Sequence, residues 1–115
     1  MKSQERMRAA HAAYQKGDLP GALVQAEAVL KELPRDAAVL QFAGVVAAQT
    51  GFPQKAADYL RKAIALGGDN VDNRINLAKV LADLGQWDEA LKLCQLPDGT
   101  TSIDLQRLEA ELLKA

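Results

Sequence analysis

The chain is short of the residues on which most catalytic and metal sites depend. It has one cysteine, Cys94, and one histidine, His11, among 115 residues. A single cysteine excludes an intramolecular disulfide and a cysteine-based metal cluster. A single histidine lacks the partner residues, such as further histidines or cysteines, with which catalytic and metal-binding histidines usually act. No phosphate-binding glycine loop, His–Glu metal motif or serine elbow occurs. We therefore expect no catalytic residues, no metal and no cofactor.

Aromatic residues and long apolar runs are also scarce. Aromatics make up 4% of the chain, whereas 49% of it is hydrophobic. Alanine, leucine and valine must therefore build the core, which suits packed helices better than a sheet. No segment approaches the ~20 apolar residues of a membrane span, and residues 1–17 lack the apolar region of a signal peptide. We expect a cytoplasmic protein without membrane insertion, or a periplasmic one if a signal peptide is missing from the sequence.

Neither sign of charge dominates the chain. The formal net charge is −1, which argues against general binding to nucleic acid or to a membrane surface. The charges are nevertheless uneven, since residues 1–68 carry a net +3 and residues 69–115 a net −4. We expect a protein or peptide partner and no nucleic acid.

What the chain does contain is one turn that occurs three times. The copies read GDLPGA from Gly17, GFPQKA from Gly51 and GQWDEA from Gly85, so they are 34 residues apart. Repetition at a fixed period of this size indicates a repeat protein. A period of 34 with helix-compatible flanks is the length of one helix–turn–helix hairpin.

The turn and capping residues predict seven helices. We expect them at about 3–15, 20–33, 37–50, from Pro53 to the Gly67–Gly68 pair, from Asp69 or Asn70 to Gly85, from Trp87 through Cys94, and at 102–114. Pro97 should end the sixth helix early, and Thr101 should cap the seventh. Cys94 should be a small buried residue rather than a reactive thiol.

Small residues recur at the two positions where the helices of a hairpin would cross. The first position holds Ala10, Gly44 and Ala78, and the second holds Ala22, Ala56 and Ala90. In this respect the chain resembles the tetratricopeptide repeat (TPR) family. The aromatic residue common early in that family's first helix is replaced by Arg6, Leu40 and Arg74.

The resemblance implies an all-α fold, a right-handed superhelical stack of three helix–turn–helix hairpins plus a C-terminal helix. We expect a single domain over residues 1–115, with repeats at about 3–36, 37–70 and 71–98 and a terminal helix at about 102–114. The first helices of the repeats would then align along one concave wall.

The resemblance also implies a non-catalytic interaction module that holds a peptide or a partner helix in this concave groove. The family's groove positions fall on Met7, Arg8, His11, Tyr14, Gln41, Phe42, Val45, Gln49, Ile75, Asn76 and Lys79. For Phe42, packing against the neighbouring repeat is an equal alternative. One subgroup of the family holds the carboxylate tails of heat-shock chaperones with Lys, Arg and Asn residues at set groove positions. Only Asn76 is present among these, so we do not expect this chain to bind chaperone tails.

Two further functions remain open from the sequence. The chain ends in LEAELLKA, inside an apolar helix-forming stretch, as though cut from a longer solenoid. It would then be the N-terminal TPR segment of a larger protein, such as a transferase or an envelope or secretion assembly factor. Alternatively, the apolar face of the last helix would form a homodimer if the third repeat leaves it uncovered.

Overall fold

The fold is a succession of helices joined by short turns. The computed structural model describes residues 2–96, 99 and 102–114, and within these ranges it contains seven α-helices and no strand. The helices are α1 (Ser3–Gln15), α2 (Leu19–Glu32), α3 (Ala37–Thr50), α4 (Pro53–Ala65), α5 (Val71–Asp83), α6 (Trp87–Leu93) and α7 (Ile103–Lys114). The all-α prediction is confirmed. The expectations for Pro97 and Thr101 lie outside the described residues.

The repeated glycine turn has the same geometry in all three copies. Gly17, Gly51 and Gly85 adopt φ angles of 84°, 94° and 76°. The amide after each glycine donates to the carbonyl five residues earlier at 2.8 to 2.9 Å. This bond pattern closes the C-terminus of a helix and requires a left-handed residue, for which glycine carries no steric penalty. The three turns therefore end α1, α3 and α5 in the same way.

Polar side chains start the helices that follow the longer connections. Asp36 accepts a hydrogen bond from the Val39 amide at 3.2 Å, and Asn70 accepts one from the Asn73 amide at 2.8 Å. Each satisfies a backbone donor that has no partner inside the helix. Asn70, rather than Asp69, is thus the cap of α5.

Packing follows the order of the chain. α1 packs on α2, α3 on α4 and α5 on α6, and successive pairs meet where α2 packs on α3 and α4 on α5. The alanines at the expected crossing positions are fully buried: Ala10, Ala22, Ala56, Ala78 and Ala90. Side chains this small let two helix axes approach toward the short end of the usual ~8–10 Å range.

The crossing of α3 and α4 is tighter than an alanine would allow. A Cβ atom built on Gly44 would lie 2.7 Å from Cγ and 3.0 Å from Cδ2 of Leu60, a fully buried side chain. In the other two repeats the position of Leu60 holds the smaller Ala26 and Cys94, and the position of Gly44 holds an alanine. A large residue on one helix is therefore accommodated by the absence of a side chain on the other.

The sixth helix is only 7 residues long, ends at Leu93 rather than including Cys94 as expected, and a buried arginine binds its end. Arg74 on α5 is 7% exposed. Its Nη1 donates to the carbonyls of Leu93 at 3.1 Å and Gln95 at 2.9 Å, while Nε and Nη2 donate to the two carboxylate oxygens of Asp69 at 2.6 and 3.1 Å. Arg74 thus satisfies carbonyls that the shortened helix leaves without partners.

Helix α7 covers the end of the third repeat. It packs on α5 and α6, which buries Leu105 and Leu108, with Leu112 half-buried against the same core. The apolar face on which the homodimer depended is therefore largely covered within the chain. Ile103 and Leu113 remain exposed, and the homodimer stays a prediction.

Candidate partner-binding face

The first helices of the repeats form one side of the molecule, which we call the first-helix face. It consists of α1, α3 and α5. Helix α3 contacts α5 directly and contacts α1 through aromatic side chains. All eleven residues expected in the groove lie on these three helices.

An aromatic cluster joins α1 to α3 on this face. The Phe42 ring meets the ring of His11 edge-on with centroids 4.6 Å apart, and that of Tyr14 at 5.9 Å. Gln49 Nε2 donates a hydrogen bond of 3.0 Å to the Tyr14 hydroxyl. Edge-to-face contacts of this kind stabilise a pair beyond simple area burial. Four of the expected residues are thus in contact, and we call them the aromatic cluster.

Phe42 has a double environment. It packs against the buried core, yet remains partly accessible, whereas His11 and Gln49 beside it are exposed. The ring therefore both joins two repeats and presents an apolar surface. The two alternatives considered for Phe42 are not exclusive.

The other expected residues surround this cluster. Met7, Gln41 and Val45 are half-buried, and Arg8 is exposed on α1. On α5, Ile75 and Asn76 are half-buried and Lys79 is exposed. The members on α5 are placed beside α3 by helix packing.

Helix α3 contains no charged residue over its 14 residues. Its neighbours on the face do, since α1 carries Arg8, and α5 carries Asp72, Lys79 and Asp83 as exposed side chains. The centre of the first-helix face is therefore apolar or neutral, and its charges lie on the two flanking helices.

A cavity of 230 Å³ opens between the starts of α3 and α5, and we call it the α3/α5 cavity. It is lined by Ala37, Ala38, Gln41, Gly68, Asn70, Asp72 and Asn73. Asn73 is 3% exposed, and its Nδ2 donates to the Gly68 carbonyl at 2.7 Å. Its Oδ1 has no hydrogen-bond partner within the described residues.

The opposite side, formed by α2, α4 and α6, is cross-linked by charge. Glu27 pairs with Lys55 at 3.0 Å and accepts a hydrogen bond from the Tyr59 hydroxyl. Arg61 pairs with Glu89 at 2.9 Å. Residues 27 and 61 occupy the same place in successive repeats, as do 55 and 89, so the second ion pair is the first with its signs exchanged.

These contacts shift the ionisation of their members. The hydrogen bond from Arg61 is the main cause that lowers the pKa of Glu89. Burial, with the hydrogen bond to Glu27, raises the pKa of Tyr59. Cys94 is a buried free thiol, and burial with nearby Glu109 raises its pKa. A raised pKa lowers the thiolate fraction and thus the reactivity, which agrees with the expected packing role.

Sequence reasoning missed two polar residues of consequence. Arg74 was identified only as a departure from the family's aromatic position, although a core-facing arginine five residues after Asp69 is a signal for an internal ion pair. Asn73 was not identified at all. Its position in the first turn of α5 does not reveal from the sequence that its side chain is buried.

Comparison with known families agrees with this architecture. Two tetratricopeptide repeat family models match the chain, one over residues 7–71 and the other over residues 47–112. Each match covers more than half of the sequence. The chain belongs to the tetratricopeptide repeat family. TPR domains are protein–protein interaction modules, generally without catalysis of their own, and this chain is such a module. No curated protein sequence matches it significantly.

Solved TPR structures superpose on almost the whole chain. The TPR2B domain of yeast Sti1, in complex with pHsp70, is 18% identical with a TM-score of 0.82, and the match covers 97% of this chain and 96% of that one. The Arabidopsis OM64 TPR domain is 16% identical with a TM-score of 0.83, covering 97% and 94%. At these identities the likeness shows the fold.

A longer protein also contains a similar segment. A mutant O-GlcNAc transferase of Thermobaculum terrenum is 26% identical with a TM-score of 0.69 over 80% of this chain. This chain spans only 18% of the transferase, and 54% of MamA, with which it shares 19% identity and a TM-score of 0.76.

Among the described residues, no helix is long and apolar enough to cross a membrane.

Proposed function

We propose that this TPR domain binds an extended peptide segment or a partner helix along its first-helix face. The observation that carries the proposal is the aromatic cluster beside the uncharged helix α3. Phe42 offers a partly accessible ring whose position is held by His11 and Tyr14. An apolar anchor on a rigid platform, surrounded by amide side chains, is a common way of holding a peptide.

The opposite face is less suited to this role. Two of its charged side chains, Glu27 and Arg61, are already paired between repeats. A partner on that side would have to compete with these ion pairs. The first-helix face instead leaves Arg8, Gln49 and Lys79 exposed.

The test compares two apolar-to-acidic substitutions. Phe42→Asp removes the anchor of the aromatic cluster, whereas Val24→Asp places the same side chain at a 65% exposed site on α2. Crosslinking capture from the native source is carried out with the wild type and both variants, after thermal melting shows that each is folded. Proteins captured by the wild type and Val24→Asp, but lost with Phe42→Asp, are the expected result.

Phe42→Ala serves as the milder variant if Phe42→Asp does not fold, because it removes the ring without adding a charge. Capture that is unchanged in a folded Phe42 variant would contradict the proposed binding face. Capture lost equally in Val24→Asp would also contradict it, since the effect would then not be specific to the first-helix face.

A second candidate is that the module positions a further domain of a longer protein. It is supported by the small share of the Thermobaculum terrenum transferase that the chain spans. Sequencing the gene on both sides of the region that encodes the TPR helices decides this possibility.

A further inference from the structure

The α3/α5 cavity differs chemically from the aromatic cluster beside it. Its polar lining consists of acceptor-bearing side chains, namely the Asp72 carboxylate and the amides of Gln41, Asn70 and Asn73. No Lys, Arg or His is among the lining residues described. Asn73 adds a buried carbonyl oxygen without a hydrogen-bond partner in the described chain. A buried acceptor left unpaired is costly, so a donor that approaches it is favoured.

The electrostatic balance at the cavity has a definite sign. Two helices begin there, and each N-terminus contributes a partial charge of about +0.5. Asp72, in the first turn of α5, opposes them and is the one charged side chain among the lining residues described, while Asp36 caps α3 next to the lining residue Ala37. The lining therefore carries a negative side chain and no positive one, so the site favours a cationic group with several N–H donors over an anion.

The cavity and the aromatic cluster are one helical turn apart. Ala38 lines the cavity and Phe42, four residues later on α3, is the centre of the cluster. Residues at this spacing have Cβ atoms about 5–6 Å apart on one side of a helix. In an extended peptide, side chains two positions apart point the same way and are about 7 Å apart. The two sites therefore match alternate side chains of one extended segment.

We propose that the partner of the first-helix face is an internal peptide segment in which a lysine or arginine lies two residues from an apolar side chain. The basic side chain enters the α3/α5 cavity beside Asp72, while the apolar side chain rests on Phe42. This inference rests on the proposed function and adds the chemistry of its ligand. It needs no free carboxyl terminus, in keeping with a groove that has only Asn76 of the carboxylate-binding residues.

Peptide selection on the full chain provides the probe. A random seven-residue library, displayed with flanking sequence at both ends, is selected on the wild-type protein. The enriched peptides are then made with blocked termini and titrated by fluorescence anisotropy. We expect enrichment of Lys or Arg two positions from Leu, Ile, Phe or Met.

Matched protein variants assign the basic group to its site. Asp72→Asn should weaken these peptides about two- to fivefold, the range expected for an exposed charge pair. Asp83→Asn should leave the affinity unchanged, because this exposed acid lies eleven residues further along α5, about 16 Å away. Replacing the peptide's Lys by Gln should weaken binding to the wild type but not to Asp72→Asn.

The outcomes separate this inference from the proposed function. Peptides that depend on Phe42, but bind equally well without the basic residue or with Asp72→Asn, would overturn the inference and leave the binding face in place. An equal effect of Asp83→Asn would also overturn it, since the preference would then be general attraction. If selection yields no peptide, the inference is wrong, and if it yields only peptides indifferent to Phe42→Ala, both proposals are wrong.

Discussion

The crossing of α3 and α4 allows one prediction to be worked through from distances. Gly44→Ala adds a Cβ 2.7 Å from Leu60 Cγ, and the carbonyl oxygen of Ala56 lies 3.4 Å away. Ordinary carbon contacts begin near 3.5 Å, so Leu60 must retreat by most of an ångström. Leu60 is fully buried, and a close-packed interior offers little space for such a shift.

Two effects of opposite sign decide the outcome. Overpacking a buried site costs about 1–3 kcal/mol, while replacing glycine by alanine inside a helix stabilises by about 1 kcal/mol. The net loss should be about 1 kcal/mol, a fall of roughly 4 °C in Tm for a domain of this size. In a Leu60→Ala background the clash is gone, so the same substitution should instead stabilise by about 1 kcal/mol.

The sign reversal is measured by urea denaturation of four proteins: wild type, each single variant and the double variant. Leu60→Ala alone should cost about 2–5 kcal/mol, and Leu60→Cys, which copies the residue of the next repeat, serves if the alanine variant is too unstable. A Gly44→Ala effect of the same sign and size in both backgrounds would refute the packing argument.

Three further predictions concern the polar contacts and the thiol. Arg74→Leu should lower the stability by about 2 kcal/mol, because it leaves helix-end carbonyls unpaired. Arg6→Leu, at the equivalent position of the first repeat, should be neutral or stabilising, since Arg6 Nε is buried without a partner in the described residues. Equal losses of stability for the two variants in calorimetry would contradict this. The lowered pKa of Glu89 predicts that its pairing with Arg61 stabilises the fold above the usual pKa near 4.5 and that this contribution disappears as the pH falls below the folded-state pKa. The stability difference between wild type and Glu89→Gln, less than about 1 kcal/mol at neutral pH, should therefore shrink as the pH falls, and it is followed by Tm; a Tm difference that stays the same from neutral pH into acid would argue against the ion pair as its source. Cys94 should react with iodoacetamide far more slowly in the native protein than in urea, since it is buried with a raised pKa; equal rates would mean that the site opens readily.

Most of the helix boundaries could be read from the sequence because they depend on local chemistry. Glycine is favoured where the backbone turns left-handed, as at Gly51, and aspartate where a helix start lacks acceptors, as at Asp36. The remaining differences are single residues at the ends of α2, α6 and α7, where fraying and capping make a boundary ambiguous.

The candidate site was only partly accessible in this way. The groove positions came from the resemblance to the TPR family and fell on the expected helices. The contacts between these residues could not be predicted in this way, because the Phe42 ring meets His11 and Tyr14 across some thirty residues of chain. For Phe42 the structure shows the packing contacts between repeats, and its role in binding a partner stays a prediction.

The sequence alone determined the period, the turns and the family, because each depends on residue types at fixed spacing along the chain. The tertiary structure decided which side chains meet between repeats. It brought the Arg74 guanidinium, from α5, to the carbonyls at the end of α6, and it buried Asn73 beside an acceptor-lined cavity. It also paired Glu27 with Lys55 and, in the next repeat, Arg61 with Glu89. The physical reason is that these contacts join residues far apart in the chain, and their distances depend on how closely the helices approach.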